Sequence, residues 1–433
     1  MKYKIILLAA AVFCMQALYA QESRTLTLKD AVDFSLKNNK QLKSNEAKIL
    51  EAVANVKEAE ERKLPDASIS GSYLYLPVHP AIDLKTGSGS GGSPSVSQAV
   101  YGIANISLPL YNGGKIKYGI ESAKFLEQAV KSDAENDRGS VTLNIINACI
   151  NLYKAYQAIE LVKENLAQSK QRVKDLTNLE KNGLLARNDL LKSELQSSNI
   201  ELTLLDAESN YKLASVNMNI MMGLPEQTIL IPDKSGLALP TSIKTLEEYE
   251  QDAMQNRADI SAFSFRKKSA AVNIKSIKAD KYPSLTLTGG YIAADVPKFL
   301  TVYNAVNIGV GVKYNIASLW KNKSKIQQAE ARVKQITAGE EMLTDNIRLQ
   351  INQTYQAYLV SIKKIQVYEK SVIQATENFR ITKNKYDNSL ATTTELLDAD
   401  VALLQTKLSV TNAKADSFIA YNKLLETAGD LKY

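Results

Sequence analysis

Two long stretches of the chain space their apolar residues at intervals of three and four, which is the spacing of an α-helix with one apolar face. They cover residues 115–181 and 321–387, and neither contains a proline. In the first stretch the apolar positions include Leu143, Ile146 and Ile150. At 1.5 Å per residue each helix would run roughly 100 Å. Helices with this length and pattern are expected to pack side by side as in coiled coils.

Shorter helical stretches flank each long one. The pattern predicts an opening helix of about 38 residues over 27–64 and again over 245–282, and each stops at a proline. Short breaks at 182–183 and 388–389 end the long helices, and a return helix of about 35 residues follows each break. Laid end to end, an opening and a return helix would flank the long helix as a column of matching length.

Alternation with a period of two predicts two strands in each half of the chain. In the second half Val306, Ile308, Val310 and Val312 alternate with polar or small residues, which indicates a strand with one apolar face. The first half repeats this pattern more weakly. The four predicted strands cover residues 67–76, 98–108, 284–293 and 305–314.

The two halves are copies of one unit. A shift of 218 residues aligns Asn38 with Asn256, and a later shift of 206 aligns Gly223 with Gly429. The shift changes once, across a Gly/Ser-rich segment that is expected to be an inserted loop. Such self-similarity is typical of a tandem duplication. The predicted organisation is a first repeat over 21–224, a linker over 225–244 and a second repeat over 245–433.

The N-terminus has the features of a secretory signal peptide. Two lysines among the first four residues precede an apolar run over 5–18, and the small residue Ala20 closes it. The run is too short to cross a bilayer as a helix. We predict that residues 1–20 are cleaved and that the chain is exported. Cys14 leaves a lipoprotein anchor as an alternative, which the bulky Phe13 before it disfavours.

Composition excludes several classes of function. After the signal peptide no apolar stretch is long enough for a transmembrane helix. The net charge of +7 is small and dispersed, so nucleic acid is not an expected partner. The glycines over 87–92 lie between two strands and open no helix, which argues against a nucleotide loop. The only histidine, His79, lies in the same loop, so neither a zinc site nor a Ser/His/Asp triad is predicted. Cys149 is expected to be a small core residue, and the sequence predicts no cofactor and no enzymatic activity.

The strands indicate a membrane location. Four strands from one chain cannot close a barrel, and unpaired strand edges are not tolerated in hydrocarbon. The smallest closed membrane barrels have about eight strands. Several chains must therefore pool their strands, two chains giving eight strands or three giving twelve. The alternative is a soluble coiled-coil protein with two β-hairpins.

The duplicated helix-strand-strand-helix-helix plan resembles the TolC-like outer membrane efflux protein family over the whole chain after the signal peptide. Residues 108–115, Leu-Pro-Leu-Tyr-Asn-Gly-Gly-Lys, are similar to that family's turn from the second strand into the long helix. Residues 182–191 and 388–399 resemble its two periplasmic helix-turn-helix tips. The second copy departs from the pattern at 318–320, Ser-Leu-Trp, where Asn-Gly-Gly would be typical.

The resemblance implies a mainly α-helical protein with a membrane β-barrel, in the outer membrane of a Gram-negative bacterium. It implies a homotrimer in which four strands per chain build a shared barrel of twelve, above a helical periplasmic tunnel. It further implies an exit duct for a tripartite efflux or type I secretion system. The implied partners are outer-membrane lipid, a periplasmic adaptor protein and an inner-membrane transporter.

Two acidic residues are candidates for a periplasmic gate. Members of that family close their periplasmic end with an acidic pair just after the second tip, and the matching positions here are Glu395 and Asp398. The i, i+3 spacing places both carboxylates on one helix face. Repeated around a threefold axis, they would form rings that attract cations. The alternative is two solvated charges near a helix start, where acids are common. In the first copy the same positions are Asp189 and Lys192.

The helix tips are candidates for the adaptor contact, because a tight turn exposes the apolar residues beside it. The simpler alternative is that the glycine of the first tip only terminates a helix. The candidate contact residues are Gly183, Leu184, Leu185, Ser389, Leu390 and Ala391.

A second function class is a periplasmic adaptor or a structural coiled-coil protein of an envelope-spanning complex. Adaptors usually place one helical hairpin between small glycine-rich β modules. This chain instead has two hairpins, few glycines and paired strands, which favours the channel. The sequence does not separate export of drugs, metals or proteins.

Overall fold

The computed structural model describes residues 23–78, 96–233, 238–297 and 300–432. The predicted signal peptide, with Cys14, lies outside the described residues, as does the Gly/Ser-rich loop that contains His79 and residues 87–92.

The structure is mainly helical, and apart from the short strands Ser23–Leu26 and Ile229–Pro232 its elements follow the same order in both halves of the chain. The first half contains β1 (Ser23–Leu26), α1 (Leu28–Asn38), α2 (Lys40–Glu61), β2 (Asp66–Tyr75), β3 (Gln98–Tyr111), α3 (Lys115–Lys181), α4 (Arg187–Met222) and β4 (Ile229–Pro232). The second half contains α5 (Leu246–Asn256), α6 (Ala258–Ala279), β5 (Ser284–Val296), β6 (Leu300–Lys313), α7 (Ser318–Asp387) and α8 (Thr393–Thr427). None of these helices combines the length and the apolar character that a membrane crossing requires.

The prediction of one continuous opening helix in each repeat was wrong. Asn39 separates α1 from α2, and Arg257 separates α5 from α6, each with an extended backbone (ψ of 126° and 124°). The Asn39 side-chain oxygen accepts hydrogen bonds from the N–H groups of Gln41 and Leu42 at 2.8 and 3.1 Å, so it caps α2. Neither a proline nor a glycine marks these breaks, and the apolar periodicity runs through them.

The two breaks are held by equivalent contacts. The Asn38 amide donates a hydrogen bond to the carbonyl of Met222 at 2.8 Å, beside Gly223, whose φ is +72°. A Cβ on Gly223 would lie 3.2 Å from the Cβ of Asn38. In the second repeat Gly429, with a φ of +76°, lies equally close to Asn256. The residues that the two sequence shifts align therefore meet in space within each repeat.

The chain forms two compact units. The first contains the residues up to Glu46, Asp133–Ile260 and Leu343 onward, and the second contains Ala47–Ser132 and Ser261–Met342. In the first unit the two repeats bury the same helix positions. The buried pairs that the 206-residue shift relates are Val141 and Ile347, Ile145 and Ile351, and Met218 and Leu424.

The segment predicted as a linker contributes a strand. β4 pairs with β1 in parallel, with Leu26 opposite Pro232, and Leu26 and Leu230 are fully buried in the core of the first unit. The Tyr211 hydroxyl donates to the carbonyl of Leu230 at 2.7 Å. The sequence analysis missed this pair because both strands are short and lie more than 200 residues apart.

The second unit holds an antiparallel sheet with the strand order β2-β3-β5-β6. The register aligns apolar and small residues in rows on one face, such as the row Ile69–Ala104–Tyr291–Val306. The opposite face carries most of the polar residues of the sheet, with Ile103 and Ile292 paired among them. Ile69 is 89% exposed and Ile308 is 84% exposed, so the apolar face is uncovered in the single chain.

The second long helix begins earlier than predicted. α7 starts at Ser318 rather than at residue 321, and the N–H of Ser318 donates to the carbonyl of Asn315 at 2.9 Å. In the first repeat Gly113 and Gly114 have φ values of +65° and +87°, so they keep the chain out of the helix until Lys115. The second repeat lacks that glycine pair and enters its helix sooner.

Candidate functional site

The two helix tips are the same turn built twice. At the first tip Gly183 has a φ of +73°, and the N–H of Leu184 donates to the carbonyl of Leu179 at 2.9 Å. At the second tip Ser389 has a φ of +61°, and the N–H of Leu390 donates to the carbonyl of Lys385 at 2.7 Å. This six-residue hydrogen bond around a left-handed residue ends a helix tightly. Each tip thus reverses the chain within a few residues.

The tight turns expose the residues that follow the left-handed position. Leu184 is 73% exposed and Leu390 is 77% exposed. Gly183 and Ser389 are also exposed. The other two candidate contact residues, Leu185 and Ala391, are half-buried. Each tip therefore exposes one leucine to solvent.

Glu395 has a structural role at the start of α8. It forms a capping box with Thr392: the Thr392 N–H donates to the Glu395 carboxylate at 2.6 Å, and the Glu395 N–H donates to the Thr392 hydroxyl at 3.3 Å. The backbone N–H and the hydroxyl of Thr392 hold the pKa of Glu395 below its usual value. The spacing T-x-x-E before an apolar run is a signal for this cap that the sequence analysis did not use.

Asp398 lies one turn further along α8 and is exposed. Within the described part of the chain, no side chain pairs with its carboxylate. The first repeat differs at the matching positions, where the Lys192 ammonium lies 3.5 Å from Asp189 and 3.3 Å from the hydroxyl of Thr394. The structure therefore leaves Asp398 free and shows Glu395 as a helix cap.

The sequence analysis missed a buried ion pair close to these acids. Asp400 accepts from the guanidinium of Arg172 at 2.9 Å and from the amide of Asn165 at 3.1 Å. The side chains of Arg172 and Asp400 are only 14% and 3% exposed. A signal was present, since Asp400 follows Leu396 by four residues and precedes Leu404 by four, which puts an acid on the apolar face of a helix.

The described residues contain no group of three or more His, Cys, Asp or Glu side chains that could hold a metal ion. Cys149 is buried as expected, and burial raises the pKa of its thiol to about 11. Its thiol is therefore not a nucleophile at neutral pH.

Comparison with known proteins identifies a family that shares this architecture. A family model described as outer membrane efflux protein matches residues 31–224 and 250–430. The chain is 23% identical over 365 residues to the outer membrane protein TolC of Vibrio cholerae serotype O1, covering 81% of this chain and 82% of that protein. It is 21% identical over 392 residues to the cation efflux system protein CusC of Escherichia coli O157:H7, covering 88% and 81%.

The fold is shared with a solved outer-membrane channel. The Campylobacter jejuni CmeC outer membrane channel matches with a TM-score of 0.75 at 18% identity, covering 93% of this chain and 86% of that chain. The family match includes both tips, both return helices and the whole of both long helices. The chain therefore belongs to the outer membrane efflux protein family, whose members reside in the outer membrane of Gram-negative bacteria.

Proposed function

We propose that this chain is the outer-membrane exit duct of a tripartite efflux or type I secretion system and that it works as a homotrimer. The proposal rests mainly on one observation, the open sheet of the second unit. Its edge strands, β2 and β6, each pair on one side only within the described residues. Its apolar face is exposed along four strands.

An open sheet of this kind is not stable in hydrocarbon, because each unpaired backbone group there costs several kcal/mol. Pairing β6 of one copy with β2 of the next removes both edges. Three copies then give a closed barrel of twelve strands, in agreement with the even strand counts of membrane barrels. The apolar face, which contains Ile69 and Ile308, would contact lipid, and the polar face would line the lumen.

The tips are the proposed contact with a periplasmic adaptor, which connects the duct to an inner-membrane transporter. Each tip presents one strongly exposed leucine, Leu184 or Leu390, on a turn that its hydrogen bonds make rigid. A rigid apolar anchor loses little conformational entropy on binding, which suits a docking site.

The proposed periplasmic gate consists of Glu395 and Asp398 from each of the three chains. Six carboxylates around one axis would attract cations and repel anions. Asp398 supplies the free carboxylate, and the Thr392 cap fixes where the Glu395 carboxylate lies. The gate is thus built on a rigid first turn of α8.

Planar-bilayer recording tests the proposed duct and its gate. Wild-type trimers should conduct and should be blocked by multivalent cations, whereas Glu395→Gln with Asp398→Asn should lose most of the block. Glutamine at position 395 still satisfies the capping box, so the helix start remains intact. Asp206→Ala, which removes an exposed acid from α4, is the matched control and should behave as wild type. A wild type that never conducts would refute the duct, and an unchanged block in the double variant would refute the gate.

A further inference from the structure

Three ion pairs join α8 to α3 in the first unit. With increasing distance from the end of α3 they are Arg172–Asp400, Glu164–Lys407 and Lys154–Asp416, with N···O distances of 2.9, 4.0 and 2.7 Å. As the residue number falls along α3, it rises along α8 by a similar amount, so the two helices run antiparallel in one constant register.

The signs of the charges alternate along both helices. α3 presents a cation, an anion and a cation, while α8 presents an anion, a cation and an anion. Sliding α8 by one step of the series would oppose Arg172 to Lys407 and Glu164 to Asp416. Like charges facing each other disfavour that register, so the series encodes a single alignment of the two helices.

Only one of the three pairs is buried. Exposed ion pairs contribute little, because water and salt screen them. In the Arg172–Asp400 pair both side chains are largely excluded from solvent, and Asn165 satisfies the second carboxylate oxygen of Asp400. Removing one partner would leave an uncompensated buried charge, which is strongly unfavourable. The buried pair therefore contributes most of the energy that favours this register of α3 and α8.

Helix geometry links the buried pair to the proposed gate. Each residue turns an α-helix by about 100°. Asp398 therefore lies about 160° from Asp400 around α8, and Glu395 lies about 140° from it on the other side. When Asp400 is fixed against α3, both gate acids must point away from α3. A rotation of α8 that releases Asp400 would move both acids.

We propose that Arg172 and Asp400 are positioning residues that fix the rotation and the axial register of α8, and through them the direction of Glu395 and Asp398. This inference rests on the proposed duct. Neither Arg172 nor Asp400 is proposed to contact the transported substrate, since both side chains are buried.

The first test compares Asp400→Asn with Asp416→Asn, which removes an acid from an exposed pair between the same two helices. With Asp400→Asn, the cation concentration for half-block should rise by about tenfold, because the buried guanidinium loses its counter-charge and the helices separate. With Asp416→Asn it should change less than about twofold. The exchange Arg172→Asp with Asp400→Arg should restore much of the block. Equal behaviour of the two single variants would overturn the proposal.

The second test does not depend on channel activity. Spin labels at cysteines replacing Gln168 on α3 and Gln405 on α8, both exposed, report the distance between the helices. The buried Cys149 thiol should stay unlabelled, Cys14 is replaced by alanine, and labelled subunits are diluted with unlabelled ones. Asp400→Asn should broaden or lengthen the distance distribution, and Asp416→Asn should not. An unchanged distribution in Asp400→Asn would overturn the proposal even if the duct conducts. A wild type that does not conduct would refute the duct alone.

Discussion

At the scale of single residues, the two repeats have different residue types at the left-handed position of their helix tips. Gly183 and Ser389 both adopt a left-handed conformation at equivalent positions, and the N–H of each donates to a carbonyl three residues earlier, that of Glu180 or Tyr386. Glycine does so without strain, whereas a residue with a Cβ is destabilised there by about 1–2 kcal/mol. The Asn-Gly dipeptide predicted the first turn well. The second break, at residues 388–389, and its resemblance to a periplasmic tip located the second turn, but serine does not signal the left-handed backbone found there.

The first prediction concerns this difference. Ser389→Gly should stabilise the protein and Gly183→Ser should destabilise it, each by about 1 kcal/mol of unfolding free energy. Gly139→Ala is the control, because its Cβ would meet nothing within 4 Å on an ordinary helix. That change should be neutral or stabilising by up to about 1 kcal/mol. Thermal unfolding followed by circular dichroism measures all three, and changes of the same sign at 183 and 389 would contradict the account.

The second prediction concerns pH. Thr392 holds the pKa of Glu395 below the ordinary glutamate value of 4.5, so the carboxylate stays charged somewhat below that pH. Glu395 should therefore stay ionised and contribute to cation block in the neutral range, and it should lose that contribution as the pH falls through its lowered pKa. Thr392→Ala removes the hydroxyl contact and should shift this loss to a higher pH. Cation block recorded between pH 7 and pH 3 measures the effect, and a loss already complete above pH 4.5 would contradict it.

At the scale of elements, the apolar periodicity predicted the long helices and the strands well. It predicted poorly the helix breaks and ion pairs that depend on single contacts between residues distant in sequence. α3 occupies Lys115–Lys181, as the apolar spacing predicts, because a glycine pair and an Asn-Gly dipeptide bound it. The breaks at Asn39 and Arg257 could not be predicted in this way, since partners distant in sequence stabilise them. The Arg172–Asp400 pair joins residues 228 positions apart and was missed for the same reason.

The third prediction tests the break between α5 and α6. The Arg257 guanidinium binds Asp259 at 2.6 Å and donates to the carbonyl of Thr427 at 2.9 Å, and it is mostly buried. Arg257→Gln should cost about 1–3 kcal/mol of unfolding free energy, because these groups lose their partner away from water. Arg380→Gln breaks the exposed Arg380–Glu377 pair and should change stability much less. Equal losses in the two variants would show that Arg257 does not hold the break.

The fourth prediction concerns the tips. Leu184→Ser with Leu390→Ser should sharply reduce the amount of periplasmic adaptor that co-purifies after cross-linking in the native host, since both apolar anchors are lost. Leu213→Ser, at a comparably exposed leucine on α4, should leave that amount unchanged. Both variants should keep the wild-type subunit count. Normal adaptor recovery in the tip variant would contradict the docking assignment.

At the scale of the whole molecule, the part of the chain that the structure describes leaves both edge strands of the sheet unpaired on their outer side and its apolar face uncovered. In the helical unit the repeats bury equivalent positions in two separate cores, and the first core also contains Ala415 and Phe418 of α8, so the second repeat packs against the first there. The sheet has no such internal partner, because two hairpins give only four strands. Membership of the outer membrane efflux protein family places the chain in the outer membrane. There, the proposed shared barrel would complete the sheet with strands from other copies and with lipid.

The subunit count and membrane location of the native protein test this account most directly. Membranes are fractionated, and the detergent-extracted complex is weighed by light scattering with correction for bound detergent. The account predicts three chains per complex in the outer-membrane fraction, since three open sheets of four strands close one barrel of twelve. A monomer in the soluble periplasmic fraction would contradict it, because the sheet would then keep its free edges and its exposed apolar face.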